Sequence, residues 1–362
     1  MLHQLNGRAR AWLSLASIAG VAPGNWLTQV EHFGTVEQLL RTGANESDTL
    51  RRLFGTINTT WLARTEQWLA QCTKHSLLCI DDENYPPLLK TLAHPPLVLF
   101  VAGHTGALQL PQLAIVGSRR ASHAGKSTAT EIARALSSAG IVVTSGLATG
   151  IDAAAHEGAL SAGMTVAVMG TGPDRVYPLR NQSLYEKIID NDGAVISEFF
   201  PGIGPRRYHF PRRNRIIAAL SLGTLVVEAT IKSGTLITAN LAADLGREVF
   251  AIPGSIHHSY ASGCHHLIKQ GAALVTSSDD ILDALAPSLA GIDRAVIEEK
   301  SEVNCLATDK LLASVNFDVT AIDVIAERNA LPVNEVMAAL LEYELRGWVA
   351  AVPGGYVKLR GK

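Results

Sequence analysis

Hydrophobic and polar positions change their spacing several times along the chain, and each change marks a predicted unit. Residues 1–75 contain short segments with helical spacing of apolar positions, such as AWLSLASIA and TVEQLLRT, separated by glycine turns. They predict a small helical domain, either a nucleic-acid or protein-binding module of the SAM or helix-hairpin-helix kind or a plain packing domain. Residues 76–111 carry two proline pairs and the apolar run LVLFVAG, which predict a connector with an edge strand.

Between residues 112 and 285, short apolar runs alternate with helical segments. The runs predicted as strands are LAIVG (113–117), IVVTSG (141–146), TVAVMG (165–170), AVISE (194–198), TLVVEA (224–229), VFAIPG (249–254) and ALVT (273–276). Continuous apolar strands that alternate with helices predict a parallel sheet with helices on both faces. The fold class of this domain is therefore α/β.

The last part of the chain loses this alternation. Residues 286–303 gain charge and are interpreted as a linker. Residues 304–362 have the order helix, helix, hairpin, which resembles a winged helix. Its second predicted helix, from Val333, is acidic and poor in arginine and lysine, so partner binding or structural packing is favoured over direct reading of a DNA groove.

Composition narrows the function classes. The chain of 362 residues is 47% hydrophobic and 18% charged, which is typical of a soluble globular protein with two or three domains. A net charge of −2 gives no overall basic field, so any nucleic-acid affinity must come from a local patch. Four cysteines without a CxxC pair indicate reduced thiols in the cytoplasm, and we expect neither a signal peptide nor a membrane span.

The carboxyl ends of the predicted strands carry glycines, hydroxyls and cations. These strand-end segments are GSRR (117–120), SGLATGID (145–152), GTGPDRVYP (170–178), the arginine-rich run 206–215, EATIKSGT (228–235) and PGS (253–255). Ligands of open parallel sheets bind at this edge, where small residues let backbone amides approach them. Since four of the segments supply a cation, we expect one binding site for anions there.

The arginine-rich run is the strongest single signal. Residues 206–221 read RRYHFPRRNRIIAALS, a predicted basic loop that leads into a helix and is turned by Pro211. A charge run often lies on a solvated face without a specific role. Here the arginines surround Tyr208, His209 and Phe210 at a strand's carboxyl end, which favours phosphate binding. Rings that stack on free bases favour single-stranded over duplex nucleic acid.

Motifs for nucleotide hydrolysis and dinucleotide binding are incomplete. The segment Gly125–Thr128 is similar to the end of a P-loop, but Arg120 stands where that motif requires glycine, and the segment lies inside a predicted helix. No GxGxxG opens the first helix of the α/β domain, and no GxSxG nucleophile frame is present.

Two other groups of polar residues are given a structural interpretation. Asp152 and His156 are four residues apart and are expected to form a helix cap with a polar contact rather than an acid–base pair. The histidines and cysteine between 257 and 266 fit no zinc signature. We therefore predict no catalytic residue, no metal and no cofactor.

Several segments match one known family in order and spacing. They are GSR (117–119), SGLATGID (145–152), FPRRNRIIAALS (210–221), EATIKSGTLITA (228–239), PGS (253–255) and LIKQGA (267–272). On these motifs, about half of the chain closely resembles the DNA processing protein A family (DprA, also called Smf). The resemblance implies an extended Rossmann fold without enzymatic activity that binds single-stranded DNA, forms homodimers and recruits the recombinase RecA. Such proteins protect incoming DNA in natural transformation and help to load RecA, often displacing single-strand-binding protein.

The resemblance also assigns roles to residues of this chain. It implies that Arg119 meets a phosphate, that the loop from Gly146 to Gly150 offers backbone amides, and that Phe210 lines the path of the strand. The complete predicted DNA-binding set is Ser118, Arg119, Arg120, Gly146, Gly150, Arg175, Phe210, Arg212, Arg213, Asn214, Arg215, Lys232, Ser233, Gly234 and Thr235. The chain has His265 where the family usually has asparagine, so a contact there is expected to be altered or pH-sensitive.

Two alternative functions stay open at this point. Gly223, Thr224 and Glu228 resemble part of the motif of Rossmann-like nucleotide phosphoribohydrolases, although the Pro-Gly-Gly lead-in is absent. A structural adaptor whose C-terminal unit carries the partner contacts is the other alternative.

Overall fold

The structure is a computed structural model that describes residues 5–289, 314–315, 319–329, 331–345, 349–352 and 354–358. Contacts between residues divide the chain into two units, Met1–Asp293 and Arg294–Lys362. The first unit is built on a mixed sheet with helices on both faces, and the described residues of the second form two helices followed by a hairpin. The predicted α/β class is confirmed.

The sheet of the first unit positions everything described below. Its strands are β1 His75–Cys79, β2 Val98–Gly103, β3 Gln112–Val116, β4 Val142–Ser145, β5 Thr165–Met169, β6 Ala194–Ser197, β7 Gly223–Val226, β8 Glu248–Ala251 and β9 Ala273–Leu274. They lie in the order β1-β2-β6-β5-β4-β3-β7-β8-β9, and β3 to β9 run parallel. The chain moves from β3 outward to β6 and later enters β7 on the other side of β3. The strand order therefore reverses between β3 and β7, where open sheets form ligand crevices.

The connector adds two strands to this sheet. The apolar run 97–103 forms β2, which is antiparallel both to β1 and to β6, with Phe100 opposite Leu77 on one side and Ser197 on the other. The expectation that this run is an edge strand is wrong, because β1 covers it. The sequence of β1, HSLLC, is short and only partly apolar, so it gives no clear strand signal.

Helices cover both faces of the sheet. In the first unit they are α1 Gly7–Ser17, α2 Pro23–Phe33, α3 Val36–Glu46, α4 Asp48–Phe54, α5 Thr59–Gln71, α6 His123–Ser138, α7 Ile151–Leu160, α8 Gln182–Asp190, α9 His209–Leu220, α10 Gly234–Asp244, α11 Ser262–Lys269 and α12 Ser278–Leu289. Successive strand side chains point to opposite faces, so Ala114 and Val116 of β3 pack with α9 and α10, whereas Leu113 and Ile115 pack with α6 and α7. Among the described residues, none of the helices has the length and apolar character needed to cross a membrane.

The N-terminal helices share a core with the sheet. The Trp61 ring of α5 stacks on Phe200, with 4.9 Å between the ring centroids, and Trp68 meets Phe100 edge-on at 6.0 Å. Buried residues of α1, α3 and α5 belong to the same apolar cluster as one face of the sheet. The boundary predicted at residue 75 marks a change of sequence pattern, and the core continues across it.

The second unit contains α13 Ile322–Asn329, α14 Val333–Leu345 and the antiparallel strands β10 Val349–Val352 and β11 Gly355–Lys358. Its core joins both helices to the hairpin through Ile325, Val336, Leu340 and Val349. Of the predicted linker 286–303, the first residues to 289 belong to α12, and the others lie outside the described residues.

Helices α6 and α7 cross closely at Gly158, where a Cβ atom would lie 2.3 Å from the carbonyl oxygen of Thr130. We expect Gly158→Ala to lower the free energy of unfolding by about 2 kcal/mol, because the α6 backbone would have to move. Urea denaturation measures this loss. The matched control is Gly7→Ala at the start of α1, where a Cβ would meet nothing within 4 Å. Equal unfolding free energies for the two variants would contradict the close crossing.

Candidate functional site

A pocket of about 490 Å³ lies outside the carboxyl ends of β3 and β7, where the strand order reverses. The segments after these strands, the loop after β4 and the first turns of α9 and α10 form its wall. The predicted site residues that line it are Ser118, Arg119, Arg120, Phe210, Arg213, Asn214, Ser233, Gly234 and Thr235. Residues far apart in sequence thus meet at the edge expected for an open α/β sheet.

Three helices, α7, α9 and α10, begin at this pocket. Ser233 caps α10, its hydroxyl accepting a hydrogen bond from the Thr235 amide at 3.2 Å. Gly150 precedes α7 with a φ of +82°, and a Cβ there would lie 2.2 Å from the Ser118 carbonyl oxygen, so this position requires glycine. The unpaired amides of helix N-termini carry partial positive charge and favour anions.

Arg119 and Phe210 form the rim of the pocket. The Arg119 guanidinium lies 4.9 Å from the centroid of the Phe210 ring, and Arg119 is exposed while Phe210 is half-buried. The backbone at Arg119 is held in place, because its carbonyl accepts a hydrogen bond from Thr149 Oγ1 at 3.1 Å and the Ser118 carbonyl accepts one from the Ile151 amide at 3.2 Å. A free cation beside an aromatic ring can contact a phosphate and the face of a base together.

Helix α9 begins earlier than the sequence indicated. It starts at His209, so Pro211 is the third helical residue, where its missing N–H leaves no intrahelical bond unmade. Arg212, Arg213 and Arg215 therefore stand on helical turns rather than in a loop. Because successive helical residues are rotated by about 100°, these neighbouring arginines face different surroundings.

Arg213 is buried below the loop that follows β4. It is only 4% exposed, and its Nη1 donates a hydrogen bond to the Val168 carbonyl at 2.7 Å. A Cβ at Gly146 would lie 1.8 Å from the same nitrogen, so the close approach requires glycine. Burial lowers the pKa of Arg213 to about 10, against the attraction of Asp152, and the side chain stays charged at neutral pH. Arg213, which is predicted to line the path of the strand, thus reaches the pocket wall from a buried position.

Asp152 is the counter-charge of Arg213. It is 7% exposed, and its carboxylate accepts a hydrogen bond from the Ala148 amide at 3.4 Å. Burial raises the pKa of Asp152, and the charge of Arg213 opposes this rise. The hydrogen bond from Arg213 to Val168 ties α9 to β5, and the attraction between Arg213 and Asp152 acts across the loop that carries the pocket wall. Arg213 therefore acts as a positioning residue.

Arg212 and Arg215 lie on another side of α9 and bind Glu198. The Glu198 side chain is 6% exposed; its Oε1 is 2.9 Å from Arg212 Nη2 and 2.5 Å from Arg215 Nη2. Arg215 Nη1 also donates to the His94 carbonyl at 2.5 Å. Neither arginine lines the pocket, and both are engaged by this carboxylate. In the sequence, the sign of these ion pairs is Glu198 itself, an acidic residue at the end of a predicted strand.

Four other predicted residues also lie outside the pocket wall. Arg175 and Lys232 are exposed, whereas Gly146 and Gly150 are buried and shape the loop between β4 and α7. The wall also contains residues outside the predicted DNA-binding set, among them Asp152, Thr230, Thr238 and Tyr260. Tyr260 comes from the loop after β8, and the strand-end rule could have found it.

Glu228 has a structural task. Its Oε2 accepts a hydrogen bond from the Ser122 amide at 2.9 Å and its Oε1 accepts one from the Ser122 hydroxyl, while Ser122 caps α6. The segment Gly125–Thr128, which resembles the end of a P-loop, lies inside α6, and Gly125 packs against Glu228. Both motifs thus serve the packing of α6 on the sheet.

Two histidines differ from their expected surroundings. Among the described residues, the His156 ring makes no hydrogen bond to the Asp152 side chain; its Nδ1 lies 2.8 Å from Thr165 Oγ1 in the core. His265, which replaces the asparagine usual in the resembled family, places its Nε2 3.0 Å from the Gly254 carbonyl oxygen. It holds the loop after β8 and does not line the pocket.

Two protein-family models match this chain. The family described as DNA recombination-mediator protein A matches residues 76–286, and the DprA winged helix domain matches residues 306–355. Protein Smf of Escherichia coli (strain K12) is 41% identical over 360 residues, which cover 96% of this chain and 95% of that protein.

Solved structures agree with the fold. The X-ray structure of DNA processing protein A from Streptococcus pneumoniae superposes with a TM-score of 0.66 at 38% identity, covering 78% of this chain and 98% of that one. The DNA processing protein A of Helicobacter pylori, studied for its single-stranded DNA binding mode, gives a TM-score of 0.54 at 30% identity, covering 59% of this chain and 97% of that one.

The positioning role of Arg213 is tested by Arg213→Met. We expect the free energy of unfolding to fall by about 3 kcal/mol or more, because Asp152 loses its buried counter-charge. The matched control is Arg212→Met at the neighbouring position, whose side chain is 52% exposed. Its loss should be about 1 kcal/mol or less. Urea denaturation measures the free energy of unfolding of both variants. A similarly small decrease in both would contradict a buried, structural role for Arg213.

The pH dependence of stability follows from His156. Burial, helped by the charge of Arg213, lowers the pKa of His156 from 6.5 to about 3, so the folded state holds this imidazole neutral. In the unfolded chain it takes up a proton as the pH falls below about 6.5. Stability is therefore lost from that pH downward to about 3, by at most about 1.4 kcal/mol per pH unit.

The measurement is urea denaturation of the parent and of His156→Gln between about pH 5 and about pH 8. The variant should lose less stability on acidification than the parent does. Parallel curves would show that His156 does not stay neutral in the fold.

Proposed function

The chain belongs to the DNA recombination-mediator protein A family and so has a DNA-processing role in recombination; from this premise we propose that its pocket binds single-stranded DNA. The observation that carries the proposal is the rim pair, in which the Arg119 guanidinium lies over the Phe210 ring. The H. pylori relative, studied for its single-stranded DNA binding mode, supports the same ligand.

The pocket's charge suits a phosphate group. Arg119 and Arg120 stand exposed at its mouth, and the N-termini of three helices meet there. The single carboxylate of the wall, Asp152, is buried and is attracted by the charge of Arg213. A phosphate of the strand binds between Arg119 and the N-terminus of α10, where the Ser233 and Thr235 amides are already hydrogen-bonded and the Gly234 amide serves as the donor. The phosphate meets both full charges and helix ends, which is a strong combination for an anion.

The exposed rings favour an unpaired strand. Phe210 is half-buried in the pocket, and Tyr177 stands beside it with 5.8 Å between the ring centroids and 45% of its surface exposed. Bases of a single strand can stack on such rings, whereas a duplex hides the faces of its bases. The strand is thus held by its phosphates and by stacking, with little dependence on base sequence.

The finer part of the function follows from the family. We propose that the protein acts in the cytoplasm as a homodimer that protects incoming single-stranded DNA in natural transformation. It loads RecA onto that DNA and displaces single-strand-binding protein while doing so. Supporting this is the match over both the sheet and the winged helix domain.

We also propose that the protein is a binding protein rather than an enzyme. The phosphoribohydrolase alternative relied on Glu228, but this carboxylate caps α6 through Ser122 and faces Gly125. Incubation with nucleoside monophosphates followed by chromatography tests the proposal. Release of free base at a catalytic rate would overturn it.

The DNA-binding proposal is tested by Arg119→Gln in fluorescence anisotropy with labelled oligo-dT. We expect about tenfold weaker binding, because a charge-assisted contact to a phosphate is lost. The slope of log affinity against log salt should fall by about 0.7, the value for one phosphate of a single strand. Other single-stranded sequences should be affected alike.

The matched control is Arg134→Gln, an exposed arginine of α6 away from the pocket. It should bind as the parent does. Parent-like affinity in Arg119→Gln, or a duplex that outcompetes oligo-dT on the parent, would refute the proposed binding mode.

A further inference from the structure

A second cleft, of about 280 Å³, opens between α5 and the loops after β5 and β6. We name it the α5 cleft; its polar lining consists of Arg64, Gln67 and Gln71 from α5, with Asp174 and Arg175 from the loop after β5. It shares no lining residue with the pocket described above. Residues 64, 67 and 71 are spaced three and four apart, so one face of α5 presents them together.

Arg64 is the cation of this cleft that has no counter-ion. It is exposed, and its guanidinium lies against Gly202, where a Cβ would come within 2.7 Å of its Nη1. The described part of the chain offers it no hydrogen bond or ion pair. The stacking of Trp61 on Phe200 fixes the turn of α5 that carries Arg64. Arg64 is thus a positioned and unpaired charge.

Arg175 and Asp174 set the net charge of the cleft. Arg175 Nε lies 3.5 Å from Asp174 Oδ2, and the Arg175 side chain is 63% exposed. Asp174 Oδ1 accepts a hydrogen bond from the Gly202 amide at 2.7 Å. One carboxylate stands against two guanidinium groups, so the cleft keeps an excess positive charge, with two glutamine amides beside it as neutral donors.

The α5 cleft is connected to the pocket by a strip of rings and cations. Arg119 lies over the Phe210 ring, and Phe210 contacts Tyr177, which is two residues beyond Arg175 in the chain. From the pocket to the cleft the strip therefore reads cation, ring, ring, cation, cation. Rings and cations placed together along one surface can follow a single strand, because the rings stack on bases and the cations contact phosphates.

We propose that the α5 cleft is a second phosphate subsite for the same single strand, with Arg64 as its principal contact. The strand leaves the pocket past Phe210 and Tyr177 and places a later phosphate between Arg64 and Arg175. The N-terminal helical segment then contributes directly to DNA binding. This inference rests on the proposed function of the pocket.

The experiment measures affinity for oligo-dT of increasing length, from about 4 to about 16 nucleotides, the range of site sizes of single-strand-binding modules. Arg64→Gln should bind the shortest oligonucleotides as the parent does and the long ones about three- to fivefold more weakly. Its salt slope should fall by about 0.7 for long oligonucleotides alone. Asp174→Asn should shift long-oligonucleotide affinity in the opposite direction, because a competing negative charge is removed.

The matched control is Arg52→Gln, which removes an exposed charge from α4 without touching the cleft. It should match the parent at every length. If Arg64→Gln also matches the parent at every length while Arg119→Gln binds weakly, the second subsite is wrong and the function of the pocket stands. If the parent binds no oligonucleotide, the proposed function itself fails, and the subsite fails with it.

Discussion

The structure of the site depends on one buried charge, the guanidinium of Arg213. A charge in a protein interior is costly unless its surroundings compensate for it. Here Arg213 Nη1 donates a hydrogen bond to the Val168 carbonyl, and Asp152 supplies an attracting negative charge. Space for the guanidinium exists only because residue 146 is glycine. The loop between β4 and α7 is therefore built around this side chain. Through the bond from the Ile151 amide to the Ser118 carbonyl, the same loop fixes the backbone from which Arg119 projects.

Because of helical geometry, the neighbouring arginines of α9 contact different parts of the structure. Arg212 and Arg215 are one turn apart and share Glu198, so they lock α9 to the end of β6 and to the connector at His94. Arg213, between them, points into the core. The three arginines of α9 thus act as structural ties to different parts of the fold, because they point in different directions around one helix axis. The cation at the rim of the pocket, Arg119, comes from the segment after β3.

This division explains what could be predicted from the sequence. Continuous apolar runs gave the parallel strands nearly residue by residue, and the strand-end rule led to the correct edge of the sheet. The rule could not say which arginine faces the pocket, since that depends on where α9 begins. Because Pro211 is predicted to turn a loop, the helical phase of the arginines is not visible in the sequence, and all of them are predicted to line the path of the strand. Strand β1 was missed because its pairing with β2, rather than its short sequence, creates it.

The N-terminal helices extend the binding surface beyond the pocket and also stabilise the sheet that carries it. Through the stacking of Trp61 on Phe200, they bring α5 beside the loops after β5 and β6. In a chain with a net charge of −2, attraction to an anionic polymer cannot come from the molecule as a whole. It depends on cations gathered along one path, and a single strand has regularly spaced charges that can use several of them. A path that continues from the pocket onto α5 therefore gains affinity from length rather than from base sequence, which is the selectivity that a protein handling DNA of arbitrary sequence requires.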